Sequence, residues 1–258
     1  GGFDMAILIL LVIGIFLPLF PLSMVLTAFF KYVPWAWLRA LIVLVWPQIG
    51  LTIAFSTHVQ LPQWAVWWGL LTAALYALRM LSLRDVSTWI AFIAASAFAL
   101  LWIGLVNANS EAMLRLQGLG FSASFIIAAA VVPMLKNRLG AAYSGLHCGL
   151  VQRLPRLAGV LVMAVLAAIA TPLFPSFFAL IAVLSEASFM AAVVVLTVWL
   201  LWSWAGVRLL QGFLPGVWSR PHTPPDLSVG TTWLFGLGLV TLVGAATVLS
   251  SMGFTGGW

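Results

Sequence analysis

Four charged side chains are candidates for moving a proton or an ion, in a chain in which only 6% of the residues are charged. They are Glu111, Arg115, Glu186 and Arg79. A carboxylate can carry a proton, and an arginine can hold a carboxylate or an anion in place. Charged groups inside a membrane are costly and are usually kept for a function, so each of the four is a candidate for an ion path.

Each of these side chains also has a structural interpretation. Glu186 is either a displaced proton carrier or an interfacial carboxylate at the end of a helix, and the second interpretation is favoured. Arg115 follows Glu111 by four residues, a spacing that forms ion pairs on one face of a helix; the alternative is contact with a partner subunit. Arg79 is placed so that its charge can extend to the membrane edge.

Residues that would indicate an enzyme or a metal site do not occur in a suitable pattern. The single cysteine, Cys148, excludes a multi-thiolate metal site. Its neighbour His147 lacks a third group that would orient it for nucleophilic chemistry. The sequence has no glycine-rich phosphate loop, no pair of catalytic carboxylates and no Ser-His-Asp pattern. We therefore expect no catalytic residues, no bound metal, no cofactor and no nucleic-acid partner.

The elements that carry the four charged residues are predicted to be membrane-spanning helices. The 258 residues are 64% hydrophobic, and their charged fraction lies far below the roughly 25% of a soluble domain. The apolar runs are continuous, which is typical of helices and not of membrane strands. The predicted fold class is an all-α integral membrane protein, with a single transmembrane domain over residues 1–258. Eight runs are long enough to span a bilayer, namely 5–30, 34–56, 62–81, 86–107, 111–135, 157–184, 189–213 and 231–252.

Proline breaks two of the eight predicted helices. Pro18 and Pro21 interrupt the first run, and Pro172 and Pro175 interrupt the sixth. Proline lacks an amide donor and clashes with the preceding turn, so the helix must open there. Open backbone at bilayer depth needs cover from protein or from a watery cavity, which places both breaks inside the bundle. Broken helices are common in ion pathways, but a purely structural kink gives the same pattern.

Basic residues predict how the helices are oriented. Loops on the cytoplasmic side of a membrane carry an excess of lysine and arginine. Lys31, Arg79, Lys136 and Arg208 lie beside the first, third, fifth and seventh links, whereas the links between them are poor in basic residues. The odd links are therefore predicted to be cytoplasmic, with both termini on the non-cytoplasmic side. We expect a multi-pass protein of a bacterial inner membrane.

Three segments resemble a known family of membrane proteins, the antiporter-like subunits. Residues 14–23, GIFLPLFPLS, resemble the family's broken seventh helix, which reads roughly Lys-x-Pro-Leu-x-Pro-x-His. Residues 118–128, GLGFSASFIIA, resemble its His-Gly-Leu-Ser-Ala-Ala-Gly-Leu-Phe helix, and residues 171–178, TPLFPSFF, resemble the Leu-Pro-Gly-x-x-x-Phe break of its twelfth helix. The family includes subunits of respiratory complex I, Mrp antiporters and the membrane subunit of DAB inorganic-carbon uptake systems. The match covers essentially the whole chain, but only the C-terminal half (helices seven to fourteen) of a full-length subunit.

Within this resemblance, the family's protonatable residues fall on positions that cannot carry a proton here. Phe16 stands where the family has a lysine, and Ser23 and Leu119 stand where it has histidines. Pro47 replaces the central lysine of the next helix, and Leu180 replaces the acid or lysine after the second break. The resemblance therefore implies a retained fold, an antiporter-like half bundle, that has lost its proton channel.

The resemblance implies a degenerate, half-length antiporter-like subunit that acts as an accessory, scaffolding or coupling part of a larger proton-driven membrane complex. That complex is either complex I-like or a DAB-type inorganic-carbon uptake system. The expected partners are a full-length antiporter-like membrane subunit, a peripheral catalytic subunit, or both, together with the lipid bilayer. The alternative is a self-contained proton- or cation-coupled transporter that uses the broken helices as its gate.

The apolar replacements also predict a dry centre. Two isolated polar pockets are expected at the breaks, over residues 19–23 and 170–176, with apolar packing between them. Carbonyl groups freed by proline are expected to be met by Ser122, Ser124 or Thr171, or by single waters, because a continuous file of water needs polar partners along its whole length.

Overall fold

The structure is a computed structural model that describes residues 2–252. Within these residues the chain forms helices and no sheet, as the hydropathy pattern predicts. The twelve helices of this range are α1 (Gly2–Phe16), α2 (Met24–Tyr32), α3 (Ala36–Thr57), α4 (Trp64–Met80), α5 (Val86–Ala99), α6 (Trp102–Val106), α7 (Glu111–Leu139), α8 (Leu150–Arg153), α9 (Pro155–Ala168), α10 (Pro175–Glu186), α11 (Phe189–Gln211) and α12 (Val229–Ser251).

Five helical segments among the described residues are long and apolar enough to cross a membrane. They are α3, α5 together with α6, α7, α11 and α12. The first predicted span is divided into α1 and α2, and the sixth is divided into α9 and α10. The third predicted span corresponds to α4, which has only 17 residues. A multi-pass helical architecture is thus confirmed, whereas the count of eight spans stays a prediction. The link predicted to begin at 136 begins later, because α7 continues to Leu139.

Polar side chains fix where four of these helices begin. Asp85, Ser110, Ser188 and Ser228 each accept a hydrogen bond from the backbone N–H three residues later, at 3.1–3.3 Å. Such a cap satisfies one of the backbone donors that the first helical turn leaves free, and contributes about 1 kcal/mol. All four caps lie just before a long apolar run, so each cap fixes the residue at which an apolar helix begins.

The centre of the bundle is the helix α5, twelve of whose fourteen residues are buried. Aromatic rings from three helices pack there: Phe98 and Phe125 have centroids 5.9 Å apart, and Phe121 lies 6.3 Å from Trp202. At the other extreme, α12 buries only Leu239 and stands at the edge of the described bundle. The apolar core therefore runs through the middle of the bundle, between the two broken helices.

Candidate functional site

Helix α7 and the link that precedes it bring a small group of polar side chains to Glu186, the last residue of α10. Gln117 of α7, which is 3% exposed, donates from Nε2 to Glu186 Oε1 at 2.7 Å. Asn109 donates to the same carboxyl oxygen, and Asn107 donates to the backbone carbonyl of Glu186 at 2.9 Å. We call Glu186, Gln117, Asn107 and Asn109 the Glu186 cluster. Its carboxyl group is held entirely by amides.

The second oxygen of this carboxyl has no partner. Glu186 Oε2 and Gln117 Oε1 are both buried and accept no hydrogen bond. Gly104 of α6 packs against Oε2, and a Cβ at that position would overlap it. Within residues 2–252, no lysine or arginine forms an ion pair with Glu186. A buried acceptor without a donor is costly, and a protonated carboxyl supplies a donor of its own. Chemically, the Glu186 cluster is a place where a proton can be held.

The second carboxylate of interest, Glu111, has a very different environment. Arg115 Nη2 lies 2.8 Å from Glu111 Oε1, so the ion pair expected from the four-residue spacing is formed. The same guanidinium donates to Gln48 Oε1 at 3.1 Å and to Thr52 Oγ1 at 3.0 Å on α3. Arg115 therefore also ties α7 to α3, a role that its sequence position did not indicate.

Arg79 stands apart from the other three predicted ion-path residues. It is exposed in the last turn of α4 and makes no hydrogen bond to Glu111, Arg115 or Glu186 in the described structure. The sequence thus names four candidates, of which the structure joins Arg115 with Glu111, gives Glu186 an amide environment, and leaves Arg79 at a helix end.

The first helix break, between α1 and α2, is closed by large side chains. The indole Nε1 of Trp102 donates to the carbonyl of Leu17 at 3.0 Å, and that of Trp68 donates to the carbonyl of Phe20 at 2.7 Å. The backbone N–H of Phe20 donates to Thr72 Oγ1 at 3.0 Å. The backbone opened by Pro18 and Pro21 is therefore satisfied by side chains of α4 and α6.

The second break, between α9 and α10, is closed mainly by hydroxyl groups. The hydroxyl of Ser176 donates to the carbonyl of Ala167, and the Ser176 N–H donates to Ser124 Oγ at 3.3 Å. Trp199 Nε1 donates to the carbonyl of Ile169 at 3.1 Å. Pro175 is the first residue of α10, where a missing N–H costs nothing, while Pro172 lies in the break itself.

A third interruption of helical hydrogen bonding lies within α3, at Pro47. Pro47 has no N–H for the carbonyl of Val43, one turn earlier. Ser122 of α7 donates to that carbonyl at 2.8 Å. The sequence analysis named Ser122 and Ser124 as partners for carbonyls freed at the two breaks. Ser122 instead meets a carbonyl inside α3, and Ser124 accepts from the N–H of Ser176. The indoles that donate to carbonyls at the breaks were not expected there.

The five positions at which the sequence resemblance predicts lost channel residues differ in their surroundings. Leu180 and Ser23 are fully buried, and Pro47 is buried within α3. Phe16 is half-buried beside Trp46, and Leu119 is exposed, on the side of α7 that faces α10 and α12. Four of the positions thus hold side chains that cannot carry a proton, and the hydroxyl of the fifth, Ser23, is hydrogen-bonded to that of Tyr76 at 2.7 Å.

A groove of about 190 Å³ runs between α7, α10 and α12. Its lining includes Pro175 beside the second break and Gln117 of the Glu186 cluster, so it connects the neighbourhoods of both. Its remaining walls are apolar except for Ser250, and Leu119 is one of them. Such a lining offers few partners for water. The groove therefore does not provide a polar route between the second break and Glu186.

Sequence reasoning missed the amides that surround the carboxyl group. Gln117, like Gln48 on α3, is an isolated amide inside a long apolar helix. Polar residues are costly in a membrane helix and usually have a partner, so this isolation was a usable signal. Asn107 and Asn109 gave no such signal, because asparagine is common wherever a chain turns.

The fold matches membrane complexes whose structures have been solved. A chain of respiratory complex I from Thermus thermophilus with bound NADH superimposes with a TM-score of 0.73 at 20% identity, over 95% of this chain and 57% of that one. A chain of the membrane-bound sulfane sulfur reductase, an archaeal respiratory membrane complex, gives a TM-score of 0.75 at 15% identity, over 94% of this chain and 53% of that one.

A chain of the Mrp complex from Dietzia sp. DQ12-45-1b gives a TM-score of 0.71 at 15% identity, over 83% of this chain and 42% of that one. No protein-family model matches the sequence, and no curated protein does. The chain spans about half the length of the solved chains it matches. At the level of the fold, the resemblance to antiporter-like membrane subunits of complex I and Mrp is confirmed.

Proposed function

We propose that this chain is an accessory or scaffolding membrane subunit of a multi-subunit, proton-driven membrane complex. In this proposal it keeps the fold of an antiporter-like subunit and has lost the proton channel. The observation that carries it is that Leu180 is fully buried. The sequence resemblance predicts the family's acid or lysine after the second break at this position. A channel needs polar groups at that depth, and a buried leucine offers none.

Packing between the two breaks supports the same proposal. Phe98, Phe121, Phe125 and Trp202 are all fully buried there. Rings of this size fill the interior closely, and the polar groups among them, the Trp202 indole and the Ser96 hydroxyl, are bonded within the protein. Such packing offers few partners for a file of water. The two breaks are then separate structural features, each satisfied by its own neighbours.

The proposal places eight spans in the membrane. Three are added to the five long segments: α1 with α2, α4, and α9 with α10. The helix ends that carry Lys31, Arg79, Lys136 and Arg208 would face the cytoplasm of a bacterial cell, by the excess of basic residues at those ends. Glu186 and Glu111 would then lie near the opposite surface of the inner membrane, as would both ends of the chain.

The proposed partners are a full-length antiporter-like membrane subunit, a peripheral catalytic subunit, or both. This subunit would itself carry no catalytic residues. The complex is proposed to be complex I-like or of the DAB inorganic-carbon type. The proposal is supported by the structural matches, since the matched chains come from multi-subunit membrane complexes.

The test is purification of the tagged chain from its native membrane in a mild detergent. We expect an assembly that contains an antiporter-like subunit or a soluble catalytic subunit, identified by mass spectrometry. An unrelated tagged membrane protein of similar size is the control for non-specific capture. Recovery of the chain only as a lone monomer, after crosslinking in intact cells as well, would refute the assignment as a subunit.

The Glu186 cluster favours a second candidate, a proton- or cation-coupled transporter. Its carboxyl group is partly buried, has one orphaned oxygen and has no cation partner within residues 2–252. This environment is better suited to binding and releasing a proton than that of Glu111, which is held in an ion pair. The broken helices would act as its gate, although the groove beside Gln117 is apolar.

Reconstitution into liposomes with a pH-sensitive dye separates the two candidates. The accessory role predicts no proton flux above that of empty liposomes, both for the natural chain and for Glu186→Gln. The transporter predicts a flux that Glu186→Gln abolishes and that Glu111→Gln, the matched control at the exposed ion pair, leaves in place. A flux with that pattern of sensitivity would replace the first proposal by the second.

A further inference from the structure

A polar cavity of about 510 Å³ lies at the end of the bundle opposite the Glu186 cluster. It opens between α2, the first turn of α3, the start of α5 and the last turns of α7. Lys31, Arg39 and Lys136 line it, and Asp85 is the one carboxylate in its wall. We call it the basic cavity. None of the proton-path or ion-path roles discussed above uses these residues.

Charge in the basic cavity is not balanced. Three cationic side chains face one carboxylate, and that carboxylate already accepts two hydrogen bonds from Thr88, from its backbone N–H at 3.1 Å and from its hydroxyl at 2.7 Å. Asp85 is thereby engaged as the cap of α5 and forms no ion pair within residues 2–252. The cavity therefore keeps an excess of positive charge.

Arg39 is built into the wall as a fixed donor. It is 8% exposed, and it donates from Nε to the carbonyl of Val33 at 2.8 Å and from Nη1 to Ser87 Oγ at 2.9 Å. The ring of Phe30 covers the guanidinium at 5.4 Å. These contacts fix its plane and leave Nη2 without a hydrogen bond in the described structure. A guanidinium held in this way is suited to a phosphate oxygen.

Part of the remaining lining is apolar, beside the hydroxyl groups of Thr27 and Thr88. Met24, Ala28, Ala91 and Phe92 form part of the wall, and Met24 is 57% exposed on the outside of the bundle. A free anion gains nothing from such a wall, whereas the acyl chains of a lipid do. Cation and apolar surface lie side by side, as at the boundary between headgroups and hydrocarbon.

We propose that the basic cavity binds the phosphate headgroup of an anionic phospholipid, with its acyl chains against the exposed face of α2, which begins at Met24. Arg39 supplies the oriented donor, and Lys31 and Lys136, both exposed, supply mobile charges around the phosphate. Basic pockets between membrane helices recognise anionic headgroups in this way. Inorganic phosphate offers the same oxygens without the acyl chains, and the experiment distinguishes the two.

The test uses the full chain in nanodiscs of phosphatidylcholine to which phosphatidylglycerol is added, with retained lipid measured by native mass spectrometry. We expect Lys31→Gln/Lys136→Gln to retain phosphatidylglycerol more weakly by about fivefold for each lysine, about 25-fold together. Arg84→Gln/Arg208→Gln, with the same loss of charge outside the cavity, should retain it normally. Arg39 is left unchanged, because its contacts hold α3 to α5.

Each outcome decides the proposal. Unchanged retention in the lysine variant overturns it, and so does an equal loss in the control, which would mean attraction to surface charge alone. Inorganic phosphate that displaces phosphatidylglycerol completely at millimolar concentration would overturn the lipid as occupant in favour of the free anion. The thermal midpoint of each variant in pure phosphatidylcholine shows that its fold is intact, so weaker retention is attributed to the cavity.

Discussion

The two helix breaks have one cause, proline, but they are closed by different means. At the first break, indoles of Trp102 and Trp68 and the hydroxyl of Thr72 satisfy the open backbone. At the second, the hydroxyls of Ser176 and Ser124 do most of this work, with a single indole. Large rigid rings fix the first break to α4 and α6, whereas small groups close the second.

The backbone differs as well. Ala170 and Leu173, both in the second break, have left-handed φ values of 60° and 85°. Non-glycine residues pay for this conformation, at about 1 kcal/mol or more each. In the first break, residues 17–23 contain no such residue. The backbone of the second break is therefore strained. This break also lies beside the groove, and α10 connects it to Glu186. Any remaining mobility or proton binding is therefore expected at the second break and not at the first.

The largest effect is predicted for a carboxyl group returned to the second break. Leu180→Glu places an unpaired carboxyl at a fully buried position and should cost about 3 kcal/mol or more of unfolding free energy. Phe16→Lys, at the first break, should cost less, because Phe16 is half-buried and a lysine there can extend outward. Thermal unfolding in detergent measures both.

Leu180→Met is the matched control, since a swap that conserves volume costs less than about 1.5 kcal/mol. A stable Leu180→Glu would contradict the comparison. It would mean that the second break has room and partners for a protonatable group, and it would favour the transporter over the accessory role.

Next in size is the loss of a sealing indole. Trp102→Phe leaves the Leu17 carbonyl without its donor and opens a small gap at a fully buried site, for a cost of about 3 kcal/mol. Trp199→Phe removes the one indole of the second break, at a half-buried site, and should cost about 1 kcal/mol. If the two variants lost equal stability, the first break would depend on its aromatic partners no more strongly than the second break does.

The breaks themselves were predictable from sequence, because a proline without an N–H opens a helix wherever it stands. Pro18 and Pro172 therefore marked them without any knowledge of neighbouring helices. Their partners were not predictable, since Trp102 and Trp68 reach the first break from other helices. Tryptophan in a membrane protein is usually expected in the interfacial belt, so the sequence did not indicate that these indoles donate to the open backbone of a break.

The Glu186 cluster shows the same limit. Position alone indicated a carboxylate at a helix end, and Glu186 is indeed the last residue of α10. Its surroundings depend on the register of α6 and α7, which local sequence does not set. The Glu111–Arg115 pair, by contrast, was predictable because both residues lie on one helix and four residues fix their geometry.

A smaller effect is predicted for the hydroxyl that closes the second break. Ser176→Ala removes the donor to the Ala167 carbonyl at a fully buried site, and should lower the free energy of unfolding by about 1 kcal/mol. Ser185→Ala, on the same helix, removes an exposed hydroxyl bonded to Ala182 and should change stability by less than about 0.5 kcal/mol. A Ser176→Ala variant as stable as the control would mean that its hydroxyl does not close the break.

The smallest effect concerns the strain of the second break. Leu173→Ala and Leu173→Gly both remove a side chain that is 64% exposed, but only glycine relieves the left-handed backbone. Relief of about 1 kcal/mol is partly offset by the greater freedom of glycine in the unfolded chain, so Leu173→Gly should be the more stable of the two by about 0.5 kcal/mol. Thermal midpoints of the two variants in one detergent give the difference directly. If the alanine variant proved the more stable, the φ of Leu173 would carry no strain, and the contrast between the breaks would rest on their hydrogen bonds alone.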